Sequence, residues 1–255
     1  MTSSTSSNSP PSQGLWPTLA PYVVPPVAAS VAIVPAYYDM AATRAMQQGL
    51  PVPNMTALQA VRGGFGAMPS VGVLVGTQMV LQNRVEKTLV KTFPNLFAGD
   101  SNRVKASLTL ASSALVAALS SPFLAVYNGK TMTPPWDAKQ SLSNFSLKQA
   151  GAITLQETGF VAGLAAADLV SVPMKQVLGD NKGVEYCAAA TAGALGSLAG
   201  HGGNTALTRW QKGMTVDSLS QLSWGALRKA RGTAVFAVVY KLGKDVLNWT
   251  VSEQK

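Results

Sequence analysis

Four stretches of this chain, residues 15–38, 63–83, 106–129 and 186–208, run 21 to 24 residues without one Asp, Glu, Lys or Arg. An α-helix needs about 20 mostly apolar residues to cross a bilayer core. Soluble domains are about a quarter charged, whereas only 12% of this chain is. Four such runs in 255 residues predict a polytopic, all-α membrane protein.

The intervening sequence extends the plan to six spans. Span 1 covers about 21–44, behind a Pro-rich approach (Pro17, Pro21, Pro25, Pro26) with Trp16 and Tyr22 at headgroup level. Span 2, about 63–83, carries Gly72 and Gly76 four residues apart, a spacing that suits a close helix contact. Span 3, about 106–129, contains Pro122, which predicts a kink with Ser120 and Ser121 available to the freed carbonyls. Residues 130–156 form the longest loop, with a short surface helix at about 139–150.

Span 4, about 158–174, holds Asp168. An ionisable group at that depth faces either a wet cavity or a charged partner on a neighbouring helix. Span 5, about 186–208, contains the sole histidine, His201, which without a second ligand makes no metal site. Span 6, about 225–247, has an uncharged core of only residues 232–240. Arg228, Arg231, Lys241 and Lys244 must therefore snorkel or face a polar interior. Residues 1–14 are uncharged and rich in Ser, Thr, Pro and Asn, too poor in apolar side chains to fold, and are expected to be a disordered tail. They lack the basic residues of a transit or secretory leader. Residues 15–250 form the membrane bundle and 251–255 a polar end.

The net charge is +9, and the positives cluster outside the apolar runs, at Arg84, Lys87, Lys91, Arg103 and Lys105 and again at Arg228, Lys229 and Arg231. Such groups meet anionic lipid headgroups and set topology, or line a path for an anion. The loops 84–105 and 130–148 carry excesses of +3 (five bases, two acids) and +2 (three bases, one acid), yet fall on opposite sides if span 3 crosses. The charge rule therefore gives no orientation. Nucleic-acid binding is excluded because basic and aromatic residues never interleave in one exposed segment. No nucleophile–base pair, repeated metal ligand or phosphate loop is present, so neither an enzyme nor a cofactor is expected. The single Cys187 forms no internal disulfide and reads as a small packed residue.

Spans 1, 3 and 5 each end in a small polar segment, with Tyr37, Pro122 and Gly202 lying 85 and 80 residues apart. Spans 2, 4 and 6 carry Gly63, Gly163 and Gly225 near their starts. Span 6 reads Trp224, Gly225, Arg231, Ala234, Phe236, Tyr240, Lys244. This pattern resembles the mitochondrial carrier family, whose odd helices end in Pro-x-Asp/Glu-x-x-Lys/Arg-x-Arg, usually followed by Gln. The first copy keeps Asp39 and Arg44 but has Tyr37 for the proline and Ala42 for the first base. The second keeps only Pro122, with Leu124 and Tyr127 at the charged places. The third has Gly202, Asn204 and Leu207 for proline, acid and base, and keeps Arg209 and Gln211. The resemblance implies six transmembrane helices as three pseudo-repeated pairs (about 15–91, 101–178 and 183–250) around a central cavity. It also implies both termini on one side and residence in the mitochondrial inner membrane or a related organelle membrane. The family's closing network of three salt bridges cannot form, and Asp39 would face Leu207 or Tyr127.

Two functions follow as expectations. In the first, a small anionic metabolite crosses the membrane past Asp168, Arg209, Arg228 and Arg231, with Asp39, Arg44, Pro122, Asn204 and Gln211 as remnants of a gate. In the second, the broken motifs and Gly/Ala faces mark a non-transporting structural or assembly subunit of a larger membrane complex. A channel or translocase is a more distant third.

Overall fold

The computed structural model of the protein describes residues 15–132 and 134–252; the expected disordered tail and residues 253–255 lie outside them. The described residues form α1 (Leu15–Gln47), α2 (Ala57–Thr92), α3 (Pro94–Phe97), α4 (Asn102–Lys130), α5 (Ala138–Ser143), α6 (Leu147–Ala165), α7 (Ala167–Leu178), α8 (Lys182–Ala199), α9 (His201–Gln211), α10 (Leu219–Leu222) and α11 (Ala226–Ser252). Among them α1 from Thr18, α2 and α4 are long and apolar enough to cross a membrane, and α6 with α7, bent by 46° at their junction, make a fourth candidate. The fifth and sixth expected spans, α8 with α9 and α11, are not among these helices, because polar and charged residues interrupt them.

Side-chain chemistry sets the helix limits. Thr56 and Gln59 form a reciprocal capping box, so α2 starts ahead of its apolar run. Ser101 and Asn181 cap α4 and α8 through the amides of Val104 and Val184. The loop expected over 130–156 is shorter than its composition suggests. The surface helix there is only α5, and Ser146 caps α6, which begins 11 residues ahead of the expected start of span 4 at 158. Ser120 Oγ donates to the carbonyls of Val116 and Ala117, not to the Ala118 carbonyl that Pro122 leaves free.

The long segments close into a ring. α1 packs on α2, α2 on α4, α4 on α6, α6 on α8 and α9, α8 on α11, and α11 back on α1. The α1–α11 register is antiparallel: Ala28 lies against Gly243, Ala36 and Asp39 against Gly232, and Thr43 against Gly225. The first and last helices therefore begin and end on the same side. Gly225, with φ of 80°, makes the turn into α11.

Small residues bring the helices together. Gly72 and Gly76 receive Ser30 and Pro26 of α1, the contact their spacing predicts. α6 crosses the α8–α9 segment backbone to backbone, where a Cβ on Gly159 would strike the Gly196 carbonyl. Gly159→Val is therefore expected to destabilise the bundle by about 2–4 kcal/mol through overpacking and helix displacement. Gly66→Ala, whose Cβ meets open space, should be neutral or stabilising by about 1 kcal/mol from helix propensity. Thermal melts of the two variants in one detergent separate these outcomes; equal melting would refute the close crossing.

The bundle is inside-out by the standard of a soluble protein. On α4 the buried stripe is Ser112, Ser113, Val116, Ala117, Ser120 and Ser121, whereas Leu119 (64% exposed) and Phe123 (73%) face outward. Water would oppose such a surface and hydrocarbon favours it. Several long apolar helices with this polarity are those of a membrane protein.

Candidate functional site

Ends of α1, α4 and α9 meet at one side of the ring, around Arg44. Arg44 donates to Asn128 Oδ1 of α4 and to Thr208 Oγ1 of α9. One turn on, Gln47 Nε2 donates to Asn204 Oδ1 at 2.6 Å and Thr205 Oγ1 at 3.1 Å, and Gln47 Oε1 accepts from Thr208 Oγ1 at 3.2 Å. Asn204 Nδ2 reaches Gln156 Oε1 of α6 at 2.5 Å, and Gln211 Nε2 reaches the Ala125 carbonyl of α4 at 3.4 Å. Amides, hydroxyls and one guanidinium thus form a latch among α1, α4 and α9, tied to α6 through Gln156, and no ion pair takes part in it among the described residues.

Beside the latch lies a cavity of about 970 Å³. Helical periodicity selects its walls: Ile33, Tyr37, Met40, Arg44 and Gln47 are one stripe of α1, and Lys229, Thr233 and Phe236 are one stripe of α11. α6 adds Gln156, Glu157 and Phe160, and α2 adds Ser70, Val71, Leu74 and Val75. The lining residues Pro51 and Thr131, beside the latch, are exposed, so the cavity opens at the latch end. At the other end it is stopped by an apolar core, in which Ala28, Ala29, Ala32 and Ile33 of α1 meet Val71 and Val75, Val161, and Phe236. Phe160 stacks obliquely on Phe236 with ring centroids 5.8 Å apart, and Phe236 stacks on Tyr240 at 6.1 Å.

Three charged groups lie inside the cavity, Arg44, Glu157 and Lys229, and a fourth lining residue, Lys130, is exposed at its mouth. Glu157 is buried, and its two oxygens accept from Gln78 Nε2 at 3.1 Å and Gln156 Nε2 at 2.6 Å. It lies in the field of Arg44 and Lys229 but forms no ion pair with either among the described residues. Lys229 makes no hydrogen bond or ion pair among them, and Asn128 Nδ2, buried in the wall, has no partner. The site offers an ammonium and an amide donor to an incoming acceptor, with a guanidinium close behind.

The four residues expected to touch solute do not come together here. Arg231 makes a two-point ion pair with Asp39, at 2.7 and 2.5 Å, on an exposed face between α1 and α11. Asp39 thus meets an arginine of α11, not Leu207 or Tyr127. Arg209 is buried, donates from Nε to the Thr215 carbonyl at 2.8 Å and lies 5.5 Å from the centre of the Trp224 ring. Arg228 is half-buried outside the cavity lining. Asp168 is exposed in the first turn of α7, where a helix N-terminus favours an acid, with Lys244 of α11 as its charged neighbour. Among the gate remnants, Arg44, Asn204 and Gln211 meet in the latch, whereas Pro122 and Asp39 stand outside it.

Lys241 is paired too. Glu185 holds Lys175 at 2.8 Å, Lys182 at 3.0 Å and Lys241 at 3.4 Å, an ionic staple across α7, α8 and α11. His201 sits near the latch, its Nε2 donating to the Trp224 carbonyl at 2.9 Å. Cys187 is exposed, not packed.

Lys229 was legible by phase and Glu157 was not. Lys229 precedes Thr233, Phe236 and Tyr240 at intervals of four, three and four, the inward stripe of α11, whereas Arg228 and Arg231 fall on other faces. Glu157 stands one residue ahead of the start expected for span 4. The chain matches no family model and no curated protein sequence.

Proposed function

We propose that this protein is a multi-pass membrane transporter for a small anion, built as a divergent carrier-like ring of three helix pairs. The observation that carries the reading is the coincidence of latch and cavity. The ends of α1, α4 and α9, spaced about one repeat apart, join at Arg44, and a chamber with unpaired donors opens beside them. A static subunit gains nothing from a buried amide donor without a partner, Asn128 Nδ2, which costs free energy unless a ligand or water satisfies it, beside a half-buried lysine that no protein group pairs among the described residues. In this reading α8 with α9 and α11 also cross, their polar residues facing one another in the bundle. The membrane is the mitochondrial inner membrane or that of a related organelle, as the carrier resemblance implies.

The competing reading is a non-transporting assembly subunit. It is favoured by one observation: of the arginines a transporter would turn to solute, Arg231 is ion-paired with Asp39 and Arg209 is buried with its Nε on the Thr215 carbonyl. Proteoliposomes loaded with a panel of mono-, di- and tricarboxylates and phosphate decide between them. Saturable uptake of one anion class, with cysteines placed at 93–101 and 131–146 labelled from opposite faces, is the expected result. No uptake, with the protein recovered stoichiometrically inside a larger complex, would overturn it.

A further inference from the structure

Resting on the transporter reading, we propose that the cargo is a single-chain amphiphilic monoanion, a fatty-acid-type carboxylate, which enters sideways from the bilayer between α2 and α4.

The lining is segregated. Its charged pole is Arg44, Lys229 and Glu157, backed by the unpartnered Asn128 Nδ2. Beyond that pole the wall is mainly apolar, with Ile33, Val71, Val75, Phe160 and Phe236, and its polar groups are the hydroxyls of Thr233, Ser70 and Tyr37. A compact di- or tricarboxylate would fill the pole and leave the apolar half against its own polar groups, at the cost of desolvating them without partners. An alkyl chain fills that half and gains from doing so.

The charge count selects a monoanion. Lys130 also lines the cavity but is exposed at its mouth; inside, two cations stand against one carboxylate, whose two oxygens are already taken by Gln78 and Gln156. One positive charge is left over, with Lys229 and Asn128 Nδ2 as its donors.

The route follows from where α2 and α4 touch. Gln82 bonds Ser112 and Ser113, Gln78 bonds Ser120, and Leu74 packs onto the Leu124 cluster. Beyond Leu74 no hydrogen bond joins the two helices among the described residues. Ser70, Ala67 and Gly66 on one side and Tyr127, Asn128 and Thr131 on the other line the cavity instead. Ser70 and Gly66 line the cavity and are themselves exposed, which makes this edge of α2 the place where the chamber would open sideways. The exposed faces of both helices are apolar, with Phe65 (59% exposed) on α2 and Phe123 on α4. A hydrocarbon chain dissolved in lipid can cross such a gap without meeting water, while its head exchanges headgroup-level hydration for Lys229 and Asn128.

The test uses the full chain in phosphatidylcholine nanodiscs and palmitate bearing a mid-chain diazirine. Photolabel is expected on peptides containing Val71, Val75, Phe160 or Phe236. Unlabelled palmitate should displace it at least tenfold more effectively than hexadecanol, which has the chain without the charge. Lys229→Gln should lower labelling at least fivefold, Lys229→Arg should restore most of it, and Gly66→Trp, which obstructs the gap, should slow labelling without changing the labelled peptides. Lys105→Ala, in an exposed loop, should change nothing. Equal displacement by hexadecanol, or labelling indifferent to Lys229, would reduce the result to partition into lipid and overturn the proposal. Displacement by glutarate but not palmitate would overturn the amphiphile while leaving anion transport intact, because the uptake panel reads the latter independently.

Discussion

Lys229→Gln is expected to lower anion uptake by at least tenfold while leaving the bundle folded. The ammonium is half-buried in the cavity wall and makes no hydrogen bond or ion pair among the described residues, so glutamine deprives no donor or acceptor of a partner. Two unit charges 4 Å apart at an effective dielectric of 20 attract by about 4 kcal/mol, and a tenfold loss requires about 1.4 kcal/mol of it. Arg231→Gln should behave in the opposite way. It breaks an ion pair whose arginine side chain is 64% exposed but whose Asp39 side chain is 10% exposed, so it lowers stability by depriving that carboxylate of its charge partner, and it stands outside the cavity. Uptake should be nearly unchanged for Arg231→Gln and unchanged for Lys105→Ala. Uptake by reconstituted protein, with circular dichroism melts as the folding control, reads both. A larger loss for Arg231→Gln than for Lys229→Gln would move the anion path to the α1–α11 face.

That ordering differs from the one the sequence suggests, and the difference has a physical source. Hydropathy locates spans because membrane crossing is a constraint on length and composition. It therefore finds α1, α2 and α4 well, and Gly72 and Gly76 identify their own contact. What it does not carry is rotation about the helix axis. Arg228, Lys229 and Arg231 are adjacent in sequence and equivalent in composition, yet successive helical residues are turned by about 100°. Only Lys229 continues the stripe of Thr233, Phe236 and Tyr240 that enters the bundle. Glu157 was hidden differently: the polar run ahead of span 4 looks like loop, whereas Ser146 caps a helix that carries Gln156 and Glu157 inward. The latch partners Asn128 and Thr208 carry no charge, so a search for acid–base pairs passes over them.

Arg44→Ala is expected to release the latch, and raising the salt concentration is not. In an ionic gate the partners are carboxylates, and exposed ones are screened within about 8–10 Å at ordinary ionic strength. Here Arg44 holds neutral acceptors, Asn128 Oδ1 and Thr208 Oγ1, so added salt has no partner charge to screen. Removing the guanidinium orphans only Asn128 Oδ1, at a cost of about 1–3 kcal/mol. Thr208 still donates to the Asn204 carbonyl and to Gln47, and dehydration of a buried cation is relieved at the same time. Global stability should therefore shift little while the α1–α4 and α4–α9 ends separate, with Gln47 still bonded to Asn204, Thr205 and Thr208 and Gln211 to the Ala125 carbonyl. Spin labels at Leu50→Cys, Thr131→Cys and Asp217→Cys, taken in pairs on a Cys187→Ser background, report on the three ends. Narrow distance distributions should widen by several ångström in Arg44→Ala and stay narrow in the parent from low salt to 1 M. Widening by salt alone would mean that an ion pair closes the ring, and unchanged distances in Arg44→Ala would mean that the apolar core holds the ends without the latch. The ammonium of Lys229 lies on the same cavity wall as the latch arginine, so a bound anion should draw α11 toward α1 and α4 and narrow the distributions further. An anion that binds without narrowing them would uncouple occupancy from closure.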